Sequence, residues 1–329
     1  MKYRKREAKE YAREVLRGVW TALPTPFTRE GALDEAGIRR NMDIIVEGLR
    51  VDGHYCSGNV GEFWSLSLEE RKRAHEVMLD GAGGRIPMMA GVHDQSARAA
   101  LELARHAQEA GYDFVIILTP FIAARSDAAV LEYMSYVAER VDIGIVLFNS
   151  PGSSHPIGPD LARRLAALPN VCGMKQADLN PHGTILLQEA IGDQIVFSVA
   201  DEAVWFHNMT QLGHRWLLTY TPHMYQVPGW LPIREYTELA LRGETGRAAA
   251  LSQSLAPLRA AHARWLMGPW AQGRMPIAAM KWWMELIGMA GGSVRPPVCP
   301  LSEEEREGVR ASLKRAGLLA RAEAISAAK

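Results

Sequence analysis

An alternation constrains this chain more than anything else in it: short apolar runs, each followed by a longer segment with helical periodicity. The runs are 18–23 (GVWTAL), 53–57 (GHYCS), 86–92 (IPMMAGV), 112–119 (YDFVIILT), 143–148 (IGIVLF), 171–175 (VCGMK), 195–199 (IVFSV) and 215–220 (RWLLTY). Polar positions are few within them, as expected of parallel strands covered on both faces. Between them Asp34 opens a helix carrying Ile38, Met42, Ile45 and Val46, and Ser67 with Glu70 makes a capping box. Ser96, Ser126 and Pro159-Asp160 open three more, and helical patterns cover 183–191 and 202–212. Strand–helix units repeating at roughly 30-residue spacing predict a (β/α)8 TIM barrel. The rival, a doubly wound open sheet, normally carries a Gly-rich phosphate turn after its first strand, and ALPTPFTREG stands there instead.

After Gly229 the strand signals stop. Residues 232–242, 246–267, 276–289 and 302–327 each read as one helix, separated by Gly/Pro punctuation. No low-complexity linker intervenes. The expected organisation is an N-terminal helical segment (1–17), the barrel (18–245) and C-terminal helices packed on it (246–329).

Composition narrows the partners. The 37 basic and 37 acidic residues cancel, which argues against a nucleic-acid backbone as ligand. No run approaches the ~20 apolar residues of a membrane span, and MKYRKREAKEYAREVL has no apolar stretch before a cleavage site, so a cytoplasmic protein is expected. Cys56, Cys172 and Cys299 are odd in number and far apart, matching neither a disulfide framework nor zinc spacing. Neither a metal nor an organic cofactor is expected.

A barrel carries its active site at the C-terminal ends of its strands. Among the lysines only Lys175 ends an apolar strand. There, desolvation lowers the amine's pKa and frees it to attack a carbonyl; the bland alternative is a lysine snorkelling to the rim or paired with Asp178 or Glu202. The Gly58–Gly61 turn offers backbone N–H groups to a carboxylate, although such turns are often purely geometric.

Six segments carry a resemblance: GVWTALPTPF (18–27), GNVGE with FWSLSLEER (58–71), GYDFVIILTPF (111–121), FNSP (148–151), VCGMK (171–175) and RPPVCPLSEEE (295–305). In this order the chain resembles the dihydrodipicolinate synthase/N-acetylneuraminate lyase family of class I aldolase-type enzymes. The resemblance implies a Schiff base from Lys175 to pyruvate or a longer 2-oxo acid, with the carboxylate held by the Gly58–Gly61 turn, Asn59 and Val60 included; Phe148 and Thr219, at strand ends, are expected to border the same substrate. It also implies a homotetramer.

The departures are specific. Phe148 stands where the family commonly has an acid–base tyrosine, Asn59 and Val60 where it commonly has two threonines, and Ile122 near another tyrosine of the lysine-synthesis branch. GSSHP lacks that branch's arginine. These differences argue against dihydrodipicolinate synthesis and ordinary sialic acid cleavage. His155 is the first candidate to replace the lost phenol, followed by His93, Tyr220, His223, Asp178 and Asn59. GEFWSL is similar to a turn in the keto-deoxy-glucarate dehydratase branch, so aldol cleavage or addition and dehydration all stay open, on a keto-deoxy sugar acid or a substituted pyruvate. A non-catalytic 2-oxo acid binder is the alternative, and a barrel in which Lys175 merely positions a carboxylate is a third.

Overall fold

The computed structural model describes residues 1–150, 155–177 and 180–327, with side chains as far as 324. Among the described residues eight parallel strands close into a barrel in sequence order. They are β1 (Gly18–Ala22), β2 (Gly53–Cys56), β3 (Met88–Gly91), β4 (Phe114–Leu118), β5 (Gly144–Asn149), β6 (Val171–Gln176), β7 (Val196–Val199) and β8 (Trp216–Thr219). Closure pairs β1 with β8, Gly18 opposite Trp216 and Thr21 opposite Thr219. Every residue of FVIIL in β4 is buried, which is why these runs carry so little alternation.

The helices begin where their caps predict. Asp34 and Ser96 accept from the backbone N–H groups of Gly37 and Ala99, and Ser67 and Glu70 close their capping box. The N-terminal helix Ala8–Val15 covers the barrel floor, where Leu16 lies 3.2 Å from the position a Cβ on Gly173 would take. Tyr3 ties that segment down, donating to the Asp113 carbonyl at 2.5 Å and accepting from the Gly144 N–H at 2.7 Å.

Two helices expected to be continuous are broken. The segment 246–267 divides into Thr245–Gln253 and Ala256–His262, with Pro257 in the first turn of the second, and then opens into a π-helical turn, Ala263–Met267. The segment 302–327 divides at Gly317, whose φ of +74° ends one helix before the next starts at Leu318. Asn41 fastens the C-terminal region to the barrel: its amide donates to the Ala290 carbonyl and accepts from the Ala290 N–H, both at 2.8 Å. No helix among the described residues is long and apolar enough to cross a membrane.

Candidate active site

Lys175 sits near the end of β6 with Phe148 of β5 opposite it in register. Its ammonium nitrogen lies 4.4 Å from the Phe148 ring centroid and 5.2 Å from that of Tyr55. The residue is 7% exposed. Burial lowers its pKa from 10.5 to about 7. A sizeable fraction of the amine is thus unprotonated at neutral pH, against roughly one part in 10³–10⁴ for an exposed lysine.

A cavity of about 1030 Å³ surrounds this amine. Asn59, Val60, Phe148 and Thr219 line it together with Lys175, as does Tyr220. Gly58 shapes the site from behind: a Cβ there would stand 2.3 Å from the Tyr55 hydroxyl, so only glycine lets the turn settle on that phenol.

The Gly58–Gly61 turn is held in a strained form. Ser57 and Glu62, on either side of it, adopt left-handed backbone conformations with φ of 54° and 59°. Such residues cost roughly 1–3 kcal/mol each and persist only where their surroundings fix them. Thr25 Oγ1 donates to the Gly61 carbonyl at 2.7 Å. The Glu62 carboxylate meets the Lys281 ammonium at 2.5 Å, with side-chain exposures of 0% and 2%. Lys281 also donates to the Ser293 carbonyl at 2.7 Å and lies 4.3 Å from the Phe27 ring centroid. Despite this pairing, burial pushes the Glu62 carboxyl up and the Lys281 ammonium down.

The outer wall comes from the C-terminal helices. Met267, Trp270 and Met275 line the cavity together with Trp64, Phe121 and Arg125. One side is polar: the Tyr220 hydroxyl lies 2.7 Å from His262 Nε2, and Asp201 borders the same cavity. Burial lowers the His262 pKa, with Asp201 opposing, which favours the neutral imidazole.

His155 is not among the described residues lining the cavity; its Nε2 is 2.6 Å from Asp127, in the first turn of helix Asp127–Ala138. The strand map puts His155 just beyond β5, but the chain carries its side chain to the start of the preceding helix. His223 is buried with Nδ1 3.1 Å from Thr21 Oγ1, and His93 lies behind Tyr55. Asp178 is outside the described residues. Burial raises the Cys56 thiol to about 12, so it is no thiolate nucleophile.

Sequence reasoning missed Tyr55, Trp270, His262 and the Glu62–Lys281 pair. Alternation along β2 puts Tyr55 on the face opposite His54 and Cys56, a usable signal. The others depend on how distant helices dock.

The sequence profile of the Dihydrodipicolinate synthetase family matches residues 15–316. The 4-hydroxy-tetrahydrodipicolinate synthase of Methanothrix thermoacetophila is 29% identical over 90% of this chain and 95% of its own length. The crystal structure of the chloride-inhibited dihydrodipicolinate synthase from Acinetobacter baumannii, complexed with pyruvate, superposes with a TM-score of 0.80 at 25% identity, covering 92% of this chain and 99% of that one. N-acetylneuraminate lyase from Mycoplasma synoviae shares the fold, with a TM-score of 0.79 at 20% identity over 92% of this chain and 98% of that one. With a profile match across most of its length and the barrel closed as that fold requires, the chain belongs to the dihydrodipicolinate synthetase family.

Proposed function

We propose that this protein is a lyase that binds a 2-oxo acid as an imine on Lys175 and makes or breaks a carbon–carbon bond next to it. The carrying observation is a buried amine near the end of β6, its pKa lowered to about 7, at the base of a cavity far larger than pyruvate. Family membership supports a lyase, and the pyruvate complex of the Acinetobacter relative supports a 2-oxo acid as ligand.

In this reading the substrate carboxylate lies at the Gly58–Gly61 turn beside Asn59. The Lys175 amine attacks the neighbouring carbonyl carbon, water leaves, and the protonated imine becomes an electron sink. His155, paired with Asp127, is not among the described residues that line the cavity. Proton transfer at the distal hydroxyl falls to Tyr220 and His262. As the base takes the hydroxyl proton, the carbon–carbon bond breaks, an aldehyde departs, and the electron pair enters the imine as an enamine. Protonation of the enamine carbon and hydrolysis return pyruvate and the free amine.

The outer wall of Trp64, Phe121, Met267, Trp270 and Met275 supports a bulky, largely apolar substituent on the substrate rather than a polyol chain. A panel of 4-hydroxy-2-oxo acids, assayed for pyruvate release, tests this. Aryl-substituted members are expected to exceed polyhydroxylated keto-deoxy acids of similar length by about 10-fold or more in kcat/KM. The reverse order would sink the apolar reading, and loss of water without aldehyde would mark a dehydratase. Trp270→Ala is expected to raise KM for the aryl substrates about 10-fold with little change in kcat, since it removes roughly 1–2 kcal/mol of apolar contact.

A further inference from the structure

The family's usual phenol is absent at position 148, but a different phenol stands beside the same amine. Tyr55 lines the cavity, and Lys175 Nζ lies 5.2 Å from its ring centroid and 4.4 Å from that of Phe148. Behind it His93 fixes the direction of its hydrogen bonding. The Leu118 backbone N–H donates to His93 Nδ1 at 2.7 Å, so that nitrogen must present a lone pair. His93 is buried and its pKa is held well below 6.5, by burial first and then by the Arg71 and Lys175 cations, so the ring is neutral. Its one ring proton therefore sits on Nε2, which lies 2.5 Å from the Tyr55 oxygen and donates to it. The phenol's own hydrogen is thereby turned away from His93. Among the described residues no carbonyl or carboxylate accepts it, and the Gly58 turn closes over the oxygen on one side.

We propose that Tyr55, oriented by His93, donates its hydrogen bond to the carbonyl oxygen of the 2-oxo acid as Lys175 attacks, an inference that rests on the imine reading above. Bond formation between Nζ and the carbonyl carbon sends the carbonyl π pair onto oxygen, and the Tyr55 O–H donates to that developing charge. The oxygen then collects two protons, one relayed from the attacking nitrogen and one from solvent, and leaves as water while the nitrogen lone pair closes the imine. The phenol keeps its proton at the end of the cycle, as suits a hydroxyl whose burial holds its pKa well above 10. His93 is a positioning residue that acts through Tyr55.

The test is a timed trap. Enzyme is mixed with pyruvate, quenched with borohydride at intervals, and the adduct read by intact mass across a range of pyruvate concentrations. Tyr55→Phe, which removes one oxygen, is expected to slow the limiting rate of imine formation about 10²-fold while the half-saturating pyruvate concentration barely moves. The adduct still accumulates on Lys175 at long times. His93→Leu should lose a similar factor, and His93→Gln, which keeps an N–H for the phenol oxygen, should recover most of it. A Tyr55→Phe enzyme that traps as fast as wild type overturns the proposal and leaves the imine reading intact. So does a loss confined to the half-saturating concentration, which would put the phenol on the carboxylate. If wild type itself forms no adduct, the imine reading fails and takes this inference with it.

Discussion

Lys175→Met is expected to abolish imine formation and lower turnover by at least about 10⁴-fold, because among the described residues no other lysine lines the cavity. Lys175→Arg should fall as far. It keeps the positive charge and reaches the same space, but a guanidinium stays protonated and forms no imine. An arginine variant that kept most of the activity would instead favour a lysine that only positions a carboxylate. The pH dependence follows from the same burial. Only the unprotonated amine attacks, so the initial rate of imine formation should rise with pH and reach half its plateau near pH 7, where the amine's lowered pKa lies. An exposed lysine would give a rate still climbing tenfold per pH unit through pH 9. Timed trapping in overlapping buffers separates the two profiles.

Lys281→Met is expected to destabilise the fold by about 3–5 kcal/mol, because it leaves the Glu62 carboxylate buried without its cation. In a protein this large that corresponds to a fall of roughly 5–10 °C in Tm, measurable by calorimetry. The double variant Glu62→Leu with Lys281→Met should regain much of the loss, since two apolar groups carry no uncompensated charge. Activity need not follow stability. Glu62 adopts its left-handed backbone conformation right after the Gly58–Gly61 turn, so the double variant is expected to bind pyruvate more weakly even where it is folded. If Lys281→Met melts with wild type, the ion pair does not hold the turn and its strain is carried elsewhere.

How much of this was legible in the residues divides along physical lines. Strands buried on both faces announce themselves as continuous apolar runs, and each run named from sequence holds a strand of the barrel. Lys175 was equally visible, as a lone charge ending such a run. The phenol beside it was less so: Tyr55 sits in GHYCS, where its direction depends on which face of β2 turns inward. His262, Trp270 and Lys281 reach the site from helices more than 80 residues beyond Lys175, and periodicity shows that such helices exist but not where they dock. Gly317 ends a helix through its backbone conformation, although its surrounding pattern stays helical. His155 follows β5 closely in sequence, but its 2.6 Å contact with Asp127 is a pairing that spacing along the chain does not announce.

The central claim is a covalent bond between Lys175 and a 2-oxo acid, and peptide mapping after borohydride reduction with pyruvate tests it most directly. The account predicts a gain of about 72 Da confined to the peptide bearing Lys175 and absent from Lys175→Ala. A protein that stays unmodified with pyruvate and with bulkier 2-oxo acids, or one that carries the adduct on another lysine, would contradict it.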